Sequence, residues 1–259
     1  MTIFKKYSTT LRLFVVFLTM AGLSGCASGG YRNTRVEAHK TTITGTMPES
    51  QAVERFIAPY RDRINRDLDS VLAYAPITYD KSQGKWQSPM GNMLAEATLR
   101  KAGKLLYSKE KKHVDACLLN YGGIRSIIAQ GPVTTRTAFE VMPFENSLVV
   151  VKMKGAAIRK MADYIIAEKK AHPMAGITIK HITDRLHNEI YIKGEPIQDE
   201  KTYNIATIDY LLNGGDNMVF LAENEGVVDL NYKLRDLYID YFKEVDTLPI
   251  TNTEHIIIE

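Results

Sequence analysis

Apolar residues recur along this chain at two spacings, one typical of helices and one typical of strands. After residue 50 they recur every three or four positions until Pro76, which predicts one long amphipathic helix. Its apolar stripe consists of Val53, Phe56, Ile57, Tyr60, Ile64, Leu68, Val71 and Leu72. A second helix is predicted over residues 89–107, with Pro89 in its first turn.

Short apolar runs and alternating segments further along predict strands. Buried strands are predicted over residues 114–120, 147–155 and 202–211, a hairpin over 176–194 with its turn at Asp184-Arg185, and an edge strand over 254–259. Residues 156–170 and 234–245 have helical spacing. Because helices and strands are interleaved, the expected fold class is α/β (α+β), a mixed β-sheet flanked by helices.

The first residues have the pattern of a secretion signal. Lys5, Lys6 and Arg12 precede an apolar run at residues 13–23, which is short for a membrane span. The run ends in Leu-Ser-Gly-Cys, which resembles a bacterial lipobox with Cys26 as the lipidated residue; the alternative is a plain signal peptide with a chance cysteine. We therefore expect a signal peptide over 1–25, a lipidated Cys26 and flexible tether over 26–49, and one domain over 50–259, anchored in a bacterial cell envelope.

Composition and charge narrow the possible functions. Hydrophobic residues make up 45% of the chain and charged residues 24%, which is ordinary for a globular protein. The net charge is +3, with 33 basic and 30 acidic residues and no dense basic block, so a nucleic acid polymer is not expected as a partner. With Cys26 lipidated, Cys117 is the remaining cysteine and is expected to be an inert buried thiol.

Polar residues and glycines follow the first predicted buried strand. Asn120 offers both a donor and acceptors for a polar ligand, with the capping of a turn as the alternative. Gly122 and Gly123 permit close approach of the backbone to a ligand. Arg125 offers several N–H donors for ligand oxygens, with a surface salt bridge as the alternative.

Four stretches, taken in order, resemble the C-terminal domain of the 5'-nucleotidase family. They read PMGNMLAEA, LLNYGGIR, VMPFENSLVVVKMKG and YNIATIDYLLNGGDNM, and the agreement covers roughly residues 50–245. The resemblance implies the fold of that domain. It also implies a substrate site formed by Asn120, Gly122, Gly123, Arg125, Phe144, Tyr210 and Asp216.

In that site, the resemblance makes Phe144 and Tyr210 a pair of rings that hold a base between them, whereas core packing is the alternative for both. It makes Asp216 an acceptor for ribose hydroxyls, with a turn cap as the alternative. It also makes Asn120 a contact for a base edge and Arg125 a donor to ribose or phosphate oxygens. The family's arginine and glutamate before the Gly-Asn helix are missing here, and Lys85 could replace one phosphate contact. Tyr121 stands where the family usually has a glycine.

Family enzymes also have an N-terminal phosphoesterase domain with two metals, and its motifs are missing here. None of the six histidines lies in such a motif: His39, His113, His172, His181, His187 and His255. We therefore expect no cofactor or catalytic residue in this chain, and two divalent metals in a separate metallophosphoesterase chain. The alternatives are a tethered nucleoside- or nucleotide-binding lipoprotein without a catalytic role, and a degenerate domain kept for protein contacts.

Overall fold

The chain forms two compact units, Met1–Gln51 and Ala52–Glu259. The computed structural model describes residues 3–23, 35–42, 44–45, 49–183 and 188–259. In the first unit, helix α1 spans Ile3–Leu23. Within the described ranges, no helix has both the length and the apolar character needed to cross a membrane. Cys26 and its predicted lipidation motif lie outside the described residues.

The second unit interleaves helices and strands, as the sequence predicts. Its helices are α2 (Gln51–Leu68), α3 (Pro89–Glu110), α4 (Thr135–Val141), α5 (Gly155–Glu168), α6 (Asp209–Leu212) and α7 (Leu234–Glu244). Its strands are β1 (Val71–Ala75), β2 (Ala116–Leu118), β3 (Gly131–Thr134), β4 (Ser147–Lys154), β5 (Met174–Ala175), β6 (Ile177–His181), β7 (Glu189–Ile192), β8 (Glu195–Pro196), β9 (Thr202–Ile208), β10 (Asn224–Lys233) and β11 (Ile256–Ile258).

A five-stranded mixed sheet forms the centre of this unit, with strand order β10-β4-β9-β2-β5. Strand β2 runs parallel to β9, while the remaining pairs are antiparallel. Residues Leu148 to Val151 of β4 are all buried, because both faces of this central strand are covered. The predicted fold class, a mixed sheet with flanking helices, is therefore confirmed.

The predicted hairpin and edge strand are also present. Strands β6 and β7 pair antiparallel in a four-stranded sheet of order β11-β6-β7-β8, and the predicted turn at Asp184-Arg185 lies outside the described residues. Strand β11 pairs parallel with β6 at one end of this sheet. Cys117 is fully buried in β2, and burial raises the pKa of its thiol, so an inert thiol is the right description.

The long helix predicted from residue 53 to Pro76 is wrong in its second part. Helix α2 ends at Leu68, and the apolar residues that follow belong to β1, which pairs antiparallel with β3. Pairing with a distant strand decides the structure of residues 71–75, and the helical spacing of Val71 and Leu72 is coincidental. The stripe on α2 is also largely exposed, with Phe56 at 72%.

Candidate functional site

The strand order brings the predicted site residues to one edge of the central sheet. The carboxyl ends of the parallel strands β2 and β9 meet at this edge, where Asn120 and Tyr210 follow them. Strand β4 runs antiparallel to β9, with Leu148 opposite Ile208, so its start lies at the same edge. Phe144 is three residues before β4, and this register explains how it approaches Tyr210.

A cavity of about 220 Å³ opens between these loops, and we call it the edge cavity. It is lined by Asn120, Gly122, Gly123, Arg125, Phe144, Asn146, Tyr210 and Asp216. All seven residues predicted to contact substrate are therefore brought together. Asn146 is an addition, although its signal was present in the Pro-Phe-Glu-Asn sequence that contains Phe144.

A hydrogen-bonded chain runs through the carboxylate of Asp216. Asn120 Nδ2 donates to Asp216 Oδ2 at 2.7 Å, and Tyr210 Oη donates to Asp216 Oδ1 at 3.0 Å. The bond to Asp216 raises the pKa of Tyr210, since the phenol must stay protonated to donate. Each carboxylate oxygen retains a lone pair, so Asp216 can accept from ligand hydroxyls as well.

The backbone around Asp216 is unusual in a way that suits a ligand loop. Asp216 has φ 51° and Asn217 has φ 57°, both in the left-handed region, where Asp and Asn are better tolerated than most residues. Tyr164 Oη donates to the Asp216 carbonyl at 2.6 Å and helps to hold this conformation. A Cβ on Gly215 would lie 2.5 Å from the Tyr210 ring, so glycine lets the ring lie against the backbone.

The two glycines after β2 lie in a tight turn, and only one of them is required by its surroundings. Residues Tyr121–Gly123 form a single 3₁₀ turn without left-handed backbone. A Cβ on Gly123 would lie 2.7 Å from Asn120 Oδ1, whereas one on Gly122 would meet only ordinary contacts. Gly123 is therefore required because the Asn120 amide occupies the space of its side chain.

Both aromatic rings are partly exposed at the edge cavity. Phe144 is 43% exposed and Tyr210 is 44% exposed, so core packing does not describe either of them. Tyr210 lies in the first turn of α6 and not at the end of a strand, as the sequence suggested. The ring of Phe144 lies 5.9 Å from the guanidinium carbon of Arg125.

Arg125 is exposed beside the edge cavity. Its Nη1 donates weakly to the Gly122 carbonyl at 3.4 Å, and among the ion pairs of the described residues none involves Arg125. A surface salt bridge was the alternative role for Arg125, and in the described part of the chain Arg125 has no carboxylate partner for it. Most of its N–H donors remain available for an anionic ligand.

A second cation, Lys81, lies close enough to Arg125 for their charges to interact. Lys81 Nζ donates to the Ile124 carbonyl at 2.5 Å and lies 4.3 Å from the centre of the Tyr121 ring. Burial and then the charge of Arg125 lower its pKa. Lys85, which the sequence offers as a possible phosphate contact, lies beside Trp86 and lines another cavity.

His172 supports the same loop from behind. It is 3% exposed, and its Nδ1 accepts the N–H of Tyr121 at 3.2 Å. Burial lowers its pKa to about 4, so the ring is neutral near pH 7 and Nδ1 stays an acceptor. Nothing in the sequence around His172 pointed to this contact, because it depends on how β5 lies next to β2.

The described residues hold no group of three or more His, Cys, Asp or Glu side chains placed to bind a metal ion. The groups at the edge cavity are suited to stacking, hydrogen bonding and charge.

Comparison with known proteins identifies a family for this chain. The family model of the 5'-nucleotidase C-terminal domain matches residues 71–223. Protein UshA of Escherichia coli is 22% identical over 224 residues, covering 83% of this chain and 38% of that protein. The 5'-nucleotidase of Bos taurus is 21% identical over 207 residues, covering 71% of this chain and 36% of that protein. The chain thus spans less than two fifths of these relatives.

Solved structures show the same fold. The 5'-nucleotidase precursor of Thermus thermophilus superposes with a TM-score of 0.67 at 23% identity, covering 82% of this chain and 44% of that one. An NAD nucleotidase from Haemophilus influenzae superposes with a TM-score of 0.55 at 19% identity, covering 81% of this chain and 42% of that one.

Proposed function

This chain belongs to the family of 5'-nucleotidase C-terminal domains, and we propose that it binds a nucleoside or nucleotide in the edge cavity. In this proposal it is the substrate-binding half of a hydrolase for phosphoric monoesters, acting in nucleotide breakdown. A separate metallophosphoesterase chain supplies the two divalent metals, and a lipid on Cys26 anchors this half to a bacterial membrane.

One observation carries the binding proposal: two partly exposed rings and a carboxylate line the same small cavity. A base can stack on Phe144 and Tyr210, since every base has a π-face. The ribose hydroxyls can donate to the remaining lone pairs of Asp216. A nucleoside has both of these parts in one molecule.

The two cations favour a phosphorylated ligand over a bare nucleoside. Arg125 has no carboxylate partner among the described residues, and its charge helps to lower the pKa of Lys81. A phosphate placed beside them would relieve this repulsion and accept from the guanidinium. AMP is therefore expected to bind more tightly than adenosine.

The proposal of a separate catalytic chain rests on the residues of this sequence. The sequence lacks the histidine and aspartate motifs of the family's metal centre. A tethered binding lipoprotein without a catalytic partner is the alternative, and reconstitution with a metallophosphoesterase chain distinguishes the two.

Calorimetric titration of the detergent-solubilised full chain tests the binding proposal. AMP should bind saturably, and Asp216→Ala should weaken it roughly 10- to 150-fold, because hydrogen bonds to a charged group contribute about 1.5–3 kcal/mol. Asp62→Ala, which removes an exposed carboxylate on α2, is the matched control and should bind as the parent does. Absence of AMP binding in the parent, or equal binding in both variants, would contradict the proposal.

A further inference from the structure

The two rings at the edge cavity are connected through the side chain of Asp209. The ladder between β4 and β9 ends with Leu148 opposite Ile208, so the following residues lack a backbone partner across this pair of strands. Asp209 Oδ1 accepts the N–H of Ser147 at 3.0 Å and thereby extends the connection beyond the last paired residues.

The same oxygen also binds the segment that holds the second ring. Asp209 Oδ1 accepts the N–H of Tyr210 at 2.8 Å. Ser147 lies three residues after Phe144, so one carboxylate oxygen joins the loop of one ring to the backbone of the other. A carboxylate oxygen has two lone pairs and can accept both bonds at once.

The spacing between the rings matters because dispersion falls steeply with distance. A base held between two rings needs carbon contacts of about 3.5 Å on each face, so the rings must stand roughly 7 Å apart. A gap of about 0.5–1 Å on one face already forfeits a quarter to a half of the attraction. Small movements of either loop would therefore weaken the grip on a base.

We propose that Asp209 is a positioning residue that sets the distance between Phe144 and Tyr210. This inference rests on the proposed function for its consequence in binding, and on the two hydrogen bonds for its structural part. It assigns the role to the position of the acceptor oxygen and not to the negative charge. Asparagine, whose Oδ1 can take the same place, should therefore substitute for Asp209.

Three variants of the full chain in detergent test whether the position of the acceptor oxygen or the negative charge of Asp209 is important. Asp209→Asn keeps the acceptor and removes the charge. Asp209→Ala removes the acceptor. Asp209→Glu keeps the charge but moves the oxygen by one carbon–carbon bond, about 1.5 Å. The glutamate variant retains a side chain of similar polarity, so it provides the test if the alanine variant does not fold.

The readout is the affinity for AMP compared with that for ribose 5-phosphate, which has no base to stack on the rings. Asp209→Asn should bind AMP within about twofold of the parent, since its acceptor is retained. Asp209→Ala and Asp209→Glu should bind AMP roughly 5- to 20-fold more weakly, because part of the stacking attraction is lost. All variants should bind ribose 5-phosphate as the parent does.

Equal loss for both ligands would overturn the proposal, because it would indicate general damage to the cavity. Parental AMP affinity in Asp209→Ala, or in Asp209→Glu where that is the variant that folds, would overturn it as well. Crystal structures of the parent and the folded variant supply a readout without ligand: the centres of the two rings should shift apart or together by about 1 Å, the scale at which stacking contacts are lost. An unchanged distance between the rings refutes the role of Asp209, whether or not the parent binds AMP. Absence of AMP binding in the parent contradicts the proposed function instead.

Discussion

At the scale of single residues, the exposure of Phe144 and Tyr210 makes a definite prediction. Phe144→Ala should leave the melting temperature close to that of the parent, because the ring is 43% exposed and fills no core space. It should weaken AMP binding roughly 5- to 150-fold, since stacking contributes about 1–3 kcal/mol per base. Thermal unfolding and calorimetry on the same sample measure both effects.

A matched control for this prediction lies on α2. Phe56 is 72% exposed and distant in sequence from the cavity loops, so Phe56→Ala should preserve AMP binding. A lowered melting temperature with intact binding in Phe144→Ala would mean that the ring stabilises the fold, and that the binding cavity has been misassigned.

His172 gives a prediction about pH. Its pKa is about 4 in the folded chain and about 6.5 when exposed, so the unfolded chain binds the extra proton first as pH falls. The free energy of unfolding should therefore decrease as pH falls from 6.5 to 4, by about 3 kcal/mol for this group. Urea unfolding at several pH values measures the slope.

His172→Asn is the control for the pH prediction, because its Oδ1 can replace Nδ1 as the acceptor for the Tyr121 N–H. The variant should lose the part of the slope that belongs to His172. Burial also lowers the pKa of His255, which remains in both proteins, so only the difference between the two slopes is compared. Equal slopes would show that His172 titrates normally in the folded chain.

Many of the individual site residues could be predicted from the sequence, because the residues that line the cavity lie within short motifs. Asn120, Arg125, Phe144 and Asp216 were all found in this way, and the structure places them together. Lys81 and His172 could not be found, since each contacts the site through backbone atoms of a distant loop. A motif records the identity of side chains in a segment and does not record which distant side chains support it.

At the scale of elements, the turn after β2 and helix α3 each contain a glycine with a different role. A Cβ on Gly123 would lie 2.7 Å from Asn120 Oδ1, so Gly123→Ala should displace the Asn120 amide from Asp216. AMP affinity should fall by about tenfold or more, as expected when a hydrogen bond to a charged group is lost. Calorimetry on the variant measures this.

Gly103→Ala provides the comparison, because a Cβ there would meet nothing within 4 Å in the middle of α3. It should keep parental AMP affinity and increase the free energy of unfolding by about 0.5–1 kcal/mol, the usual gain of alanine over glycine in a helix. Parental affinity in Gly123→Ala would show that Asn120 is not held by steric contact with this turn.

The sequence predicts the individual helices and strands better than it predicts which of them lie next to each other. The spacing of apolar residues identified α3, α5, α7, β4 and β9, but strand order is not written in any one segment. The approach of Phe144 and Tyr210 depends on the pairing of Leu148 with Ile208, which the sequence could not reveal. The overlong first helix has the same cause, because β1 is a strand through its pairing with β3.

At the scale of the whole molecule, the N-terminal residues predict that the protein is attached to a bacterial membrane. If Cys26 receives a lipid, wild-type protein should sediment with bacterial membranes, and Cys26→Ser should be released or remain uncleaved. Cell fractionation and intact mass measurement detect these outcomes. Cys117→Ser is the control, since Cys117 is buried in β2 and should not affect the location. Identical fractionation and mass of parent and Cys26→Ser would contradict the lipobox interpretation.

The broadest prediction is that substrate binding and catalysis lie on two separate chains. The edge cavity offers stacking, hydrogen-bonding and charged groups, and the described residues offer no cluster suited to two metals. A hydrolase of this kind needs metal ions to activate water and to stabilise the developing charge on phosphate. The purified full chain should therefore bind AMP but release no phosphate from it with added Mg²⁺, Mn²⁺ or Zn²⁺, whereas a separately produced metallophosphoesterase chain should restore turnover. That restored turnover should fall with Asp216→Ala and persist with Asp62→Ala, because only Asp216 lines the cavity. Metal-dependent release of phosphate by the pure chain would contradict the assignment of catalysis to a partner.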